Sequence, residues 1–235
     1  MLQRMALRIY APIGVLCLLI ALAGFWPTYF GPLLAGQSHA LPVIHLHAAV
    51  FTAWVMLLIL QAVLAASGYV SLHMKVGRIG MAWGALLILV GWATALSRFA
   101  DRVQAGEFEA AQQRFFAPFT DMLVFAPFLA AAWAYRRQPE VHKRLMVVAT
   151  TVLLVAAVHR MAFLGGRPPP VPQLLLVWLS PILAGMAFDY AKRRLVHPVY
   201  LLGIASVLFL KFGRAPLARS GAWRDFTTWL AGFFG

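Results

Sequence analysis

Charge is scarce in this sequence. Only 11% of its 235 residues are Asp, Glu, Lys or Arg, against about 25% in a soluble domain, and just seven are acidic. Cysteine is scarcer still. Cys17 stands alone, which excludes an internal disulfide and a cysteine-based zinc site. No phosphate-binding glycine loop, no HExxH and no GxSxG occurs, and no serine or threonine has His and acidic partners at catalytic spacing. Whether the chain is an enzyme stays open. Any metal or cofactor has to rely on His, Met, carboxylate or backbone groups.

What is present is apolar sequence, 62% of the chain. It comes in runs of about 20 residues, the length that spans a bilayer core. The chain therefore reads as an all-α, polytopic integral membrane bundle of six to seven transmembrane helices. They are expected at about 9–26, 43–66, 79–97, 118–135, 145–163, 172–190 and 198–212. Residues 1–212 form one transmembrane domain. Residues 213–235 read as an amphipathic tail with an interfacial helix from Trp223 to Phe234. Arg4 and Arg8 ahead of an apolar run resemble a secretory signal, but the run continues through Phe25 and Trp26 to Tyr29, so an uncleaved first helix is expected. Pro27, Gly31, Pro32 and Gly36 are expected to close that helix, Lys211 to end the seventh, and residues 98–117 to form the longest loop, open or folded into a short surface helix.

The net charge is +13. No nucleic-acid motif accompanies it, so nucleic acid is not an expected partner. The basic residues sit instead in short connections. One side collects Arg4, Arg8, Lys75, Arg78, Arg136, Arg137, Lys143, Arg144 and Lys192 to Arg194. The other, up to the sixth helix, collects Arg98, Arg102, Arg114 and Arg167. The positive-inside rule then predicts an N-terminus on the inner side, which for a protein of the bacterial inner membrane is the cytoplasm, and arginines after the seventh segment blur the side of the C-terminus.

Ionisable groups in hydrocarbon are costly and so mark functional candidates. By depth they fall into two layers. The outer layer has His39, His45, His47, Asp121, His159 and Arg160. The inner has His73, Glu140, His142, Asp189 and His197, and Gln61 lies between them. His45 and His47 could hold one metal as an H-x-H pair if they precede the helix, or rest as interfacial polar residues. Asp121 and Arg160 are expected to form a structural ion pair. Lys143 and Arg144 are expected to meet lipid phosphates, Asp189 to be satisfied by Lys192, Arg193 or Arg194, and His197 to cap or lie at the interface. His73 and His142 could face each other. Gly80, Gly84 and Gly91 share one helix face, which suits either close helix packing or a flat cofactor. A weak echo relates two hairpins: His73-Met74-Lys75-Val76-Gly77-Arg78 and His142-Lys143-Arg144 each lead into a helix.

Two stretches carry a resemblance. One is His45-x-His47 through Phe51, Trp54 and Gln61 to Leu72-His73 and Gly77-Arg78. The other is Pro139-Glu140-Val141-His142-Lys143-Arg144-Leu145-Met146, continuing to His159-Arg160. Together they resemble a group of bacterial multi-pass membrane proteins classed as a domain of unknown function. More loosely, a helix with His, a central Gln and Gly, followed by His before a Gly-containing helix, is similar to transmembrane b-type cytochromes. That similarity implies haem b at both faces and transmembrane electron transfer. His47 and His159 would serve one haem, His73 and His142 the other, and Arg160 a haem propionate or a lipid phosphate. His47 and His73 are about 39 Å apart along a continuous helix, too far to share a site. Two alternatives stand beside this: a non-enzymatic subunit or assembly factor of a respiratory or photosynthetic membrane complex, and a small transporter using Gln61 and Asp121.

Overall fold

In the computed structural model, residues 9–37, 40–161 and 169–234 are described, and among them all regular structure is helical. The helices are α1 (Tyr10–Phe25), α2 (Pro42–Ser67), α3 (Val70–Gln104), α4 (Phe108–Ala134), α5 (Pro139–Leu153), α6 (Val155–Met161), α7 (Val171–Arg193), α8 (Pro198–Leu208) and α9 (Gly221–Ala231). Six spans are long and apolar enough to cross a membrane. The pair α5 and α6, bent by 43° at a short break, makes a seventh. The protein is thus a polytopic membrane helix bundle. The end at which α1 begins is the near face below, and the opposite end is the far face. His39 and Arg167, with Arg4 and Arg8, lie outside the described residues.

Several helices run past their apolar stretches. The third begins at Val70, not near 79, so His73 to Arg78 are helical rather than in a loop. The reason is local: Gly68, at φ 86°, closes α2 with a left-handed cap and turns the chain within two residues. The expected loop at 98–117 is mostly helix. α3 continues to Gln104, Gly106 at φ 77° makes the turn, and α4 starts at Phe108. The fifth span starts at Pro139 rather than 145, with proline in the first turn, where its missing N–H costs nothing. The first span is not closed at Pro27. It passes through a wide π turn, Trp26–Phe30, into Gly31–Leu34. The seventh does the same through Phe209–Gly213 into Arg214–Ala218, so Lys211 does not end it.

α5 is the central element. Val147, Val148, Ala149, Thr150, Thr151 and Val152 are all buried, the pattern of a helix covered on every side. It packs against α1, α4, α7 and α8, while α1 also lies on α2 and α6. Small and β-branched residues let these neighbours come close. Two indoles find their partners on it, as an N–H away from water must. Trp54 donates to Thr150 Oγ1 at 3.1 Å, and Trp178 to the Thr151 carbonyl at 2.9 Å. The break after Leu153 then re-aims α6. The Gly24 position on α1 lies directly on the Ala157 backbone, where an added Cβ would collide with main-chain atoms.

The near face is held by ions. Arg144 is buried and forms a two-pronged pair with Asp189, Nε–Oδ2 2.7 Å and Nη2–Oδ1 2.8 Å. It also reaches the Glu140 carboxylate at 2.9 Å, and Glu140 takes Lys143 and Arg193. This corrects two expectations. Asp189 is satisfied across helices by Arg144, and Arg144 faces inward, away from lipid phosphate. A guanidinium at this depth escapes its desolvation cost only through such paired contacts. At the far face α9 folds back. Its Trp223 packs on Phe115, Phe116 and Phe119, and its N–H donates to the Gln112 carbonyl at 3.2 Å. The tail helix therefore has one face against α4.

Candidate functional site

Polar groups converge at the far face around a cavity of about 600 Å³, within the usual size of a small-molecule site. Its apolar wall comes from α1, α2 and α4 through residues such as Leu18, Leu22, Phe51, Trp54, Val55 and Met122. Its polar lining includes His47, His159, Asp121 and five arginines: Arg98, Arg102, Arg114, Arg160 and Arg214.

Helix irregularities create this space. Thr28, Tyr29 and Phe30 of the first π turn line it, Arg214 follows the second, Pro118 sits in the α4 wall, and Leu153 to Ala157 flank the α5–α6 break. A regular helix would carry its side chains past this level in register. π turns, proline and breaks instead widen the spacing and redirect the chain.

His47 and His159 do border one cavity. The His47 ring stacks on Phe51 at 4.0 Å, and its buried Nδ1 has no partner among the described residues. His159 sets its ring edge-on to Trp178 at 5.9 Å. His45 and His47 do not form a metal pair. Both lie within α2, two residues apart, and so point to nearly opposite sides. His45 Nδ1 shares a 2.9 Å hydrogen bond with the Tyr29 hydroxyl. Among the described residues no three His, Cys, Asp or Glu side chains converge as metal ligands.

The expected Asp121–Arg160 pair is also corrected. Asp121 pairs with Arg214 at 2.7 Å. The second π turn brings Arg214 back over the cavity, and no sequence separation foretells that contact across 93 residues. Arg160 instead donates to the Ala156 carbonyl at 3.1 Å and lies over the Phe25 ring at 4.6 Å.

At the near face, His73 and His142 occupy matching places, each the fourth residue of its helix. His142 Nδ1 lies 2.8 Å from the Ala132 carbonyl, and His73 Nδ1 lies 3.1 Å from the Gln61 carbonyl. Each ring thus has Nδ1 engaged by the preceding helix, and the hairpin echo is structural as well as sequential. Gln61 does not stand alone between layers. With its carboxamide turned so that both ends are satisfied, its nitrogen donates to the His73 carbonyl (3.1 Å) and its oxygen accepts from the Gly77 N–H (2.7 Å). Gly84 meets Leu129 and Trp54, and Gly91 meets Met122, so side chains fill that stripe at both positions. His197 caps α8, accepting the Val199 N–H at 3.3 Å.

The arginines are what sequence reasoning undervalued. Arg98, Arg102 and Arg114 read as loop charges, and Arg214 as part of a surface tail. The available signal was spacing: Arg98 and Arg102 are four apart, one helix face. No protein-family model, curated protein or solved structure matches the chain.

Proposed function

We propose that this protein is a membrane-embedded binding protein whose small-molecule ligand occupies the far-face cavity. One observation carries the reading: charged and histidine side chains from five spans gather around a cavity of about 600 Å³ with an apolar wall. The test is purification in mild detergent, followed by an absorption spectrum and mass spectrometry of the extracted small molecules. A ligand should co-purify at near one-to-one ratio and be lost from Ala48→Phe, which fills the cavity. Wild type and Ala48→Phe with the same small-molecule content would refute it.

A second reading, haem b with electron transfer, is favoured by the histidines. His47 has a free buried Nδ1 and lines the same cavity as His159. His73 and His142 each have Nδ1 engaged by the preceding helix, the arrangement that orients an imidazole to ligate through Nε2. Imidazole nitrogens are the donors that haem ligation would need. His47 and His159 would hold one group and His73 and His142 the other, with Arg160 available to a propionate. Haem bound there would supply one-electron chemistry. A Soret band removed by His47→Ala or His73→Ala supports this reading, and a colourless, metal-free preparation refutes it.

A further inference from the structure

We propose, building on the reading of the far-face cavity as a ligand site, that its ligand is an amphipathic oxyanion: a phosphate or carboxylate head on an apolar body. Five arginines border the cavity and, among the described residues, Asp121 is the sole acidic group in its lining. Asp121 is already neutralised by Arg214. Arg98 has Asp101 at 3.2 Å, in an exposed pair. Among the described residues, Arg102, Arg114 and Arg160 have no carboxylate within ion-pair distance.

Arg160 decides the matter. It projects half-buried from the last turn of α6, and of its five N–H donors one goes to the Ala156 carbonyl. The Phe25 ring covers one face of the guanidinium. A cation held there without a counter-charge costs several kcal/mol, and an anion removes that cost. Guanidinium groups bind phosphate and carboxylate by paired, charge-assisted hydrogen bonds. Inorganic phosphate alone would leave the Leu18, Phe51 and Met122 wall uncovered, and a neutral lipid would leave the arginines unpaired. An oxyanion with an apolar body satisfies both. Lipid phosphates and fatty acids share this chemistry.

The experiment uses the full chain in nanodiscs of neutral phosphatidylcholine. Calorimetry compares farnesyl phosphate with farnesol, oleate with oleyl alcohol, and inorganic phosphate alone. At least one anion should bind tenfold or more tighter than its own alcohol, and inorganic phosphate should bind far more weakly than either. Farnesyl phosphate ahead of oleate assigns the site to lipid phosphate, and the reverse order to carboxylate. Arg160→Gln and Arg114→Gln should each weaken the better anion at least tenfold and leave its alcohol unchanged. Circular dichroism confirms that the variants fold. Equal binding of anion and alcohol, or no effect of the arginine variants, overturns the oxyanion while leaving a ligand cavity. No binding by any probe to the folded wild-type protein overturns the oxyanion. The cavity reading itself falls only if wild type and Ala48→Phe also carry the same small-molecule content.

Discussion

Asp189→Asn removes one charge from the near-face ion cluster and almost no volume. Its partner Arg144 is 1% exposed and Asp189 itself 4%. The substitution keeps an acceptor for one guanidinium N–H but deprives a buried cation of its two-pronged counter-ion. Losing one member of a buried pair costs about 3–5 kcal/mol. The remaining partner, Glu140, is 37% exposed and shared with Lys143 and Arg193. It offsets part of the loss, which sets the expected cost near the lower end, about 3 kcal/mol. That is roughly a hundredfold in the folded population. Titration with SDS, followed by tryptophan fluorescence, should show unfolding at a clearly lower detergent fraction. The double variant Arg144→Met/Asp189→Leu fills the same space with apolar atoms and should return to within about 1 kcal/mol of wild type, because no unpaired charge is left. Arg144→Lys should resemble Asp189→Asn, since an ammonium cannot reproduce the fork. The reasoning is refuted if Asp189→Asn unfolds with wild type, or if the double variant is as weak as the single.

Gly24→Val should weaken the bundle by about 1–3 kcal/mol in the same titration. Its Cβ would meet the Ala157 main chain, which cannot rotate away, whereas Gly14→Ala should cost less because it meets the flexible Ile59 side chain. Equal effects would contradict this account. Trp223→Ala should release the tail without unfolding the spans, since the indole is packed by Phe115, Phe116 and Phe119. Faster proteolysis beyond Arg214, with the bundle intact, is the expected result, and an unchanged cleavage rate the contrary one. His197→Ala should cost about 0.5–2 kcal/mol through loss of the α8 cap. Burial, with Arg144 nearby, lowers the His197 pKa below its usual value. The neutral cap therefore contributes fully above about pH 6.5 and is lost as pH falls through the lowered folded value. The stability gap between wild type and His197→Ala should narrow on acidification, and a constant gap would contradict the cap.

The irregular turns at the far face suit a binding role better than a purely scaffolding one. The first π turn, the helix break, Pro118 and Arg214, which follows the second π turn, border the same cavity. Each irregularity gives up regular backbone hydrogen bonding, a sacrifice that recurs at functional sites. The near face, by contrast, has regular helices tied by ions.

Membrane class, all-helical architecture and the number of spans were legible in the sequence alone. An apolar run of bilayer length needs no tertiary information, because each span satisfies its own backbone. So were the layering of His47, His159, Asp121 and Arg160 at one depth and His73 and His142 at another, since helical rise converts sequence position into depth. Lateral neighbours were not legible. A charge at a given depth can meet any carboxylate at that depth on any adjacent span, so Asp121 with Arg214 and Asp189 with Arg144 were decided by which helices touch. Helix ends were missed where polar residues such as Arg98 and Arg102 extend a helix that hydropathy reads as finished, because apolar content marks the part facing lipid, not the part that is helical. The cavity was decided last of all. It exists because two π turns and a 43° break displace backbone that the residue pattern alone would continue straight.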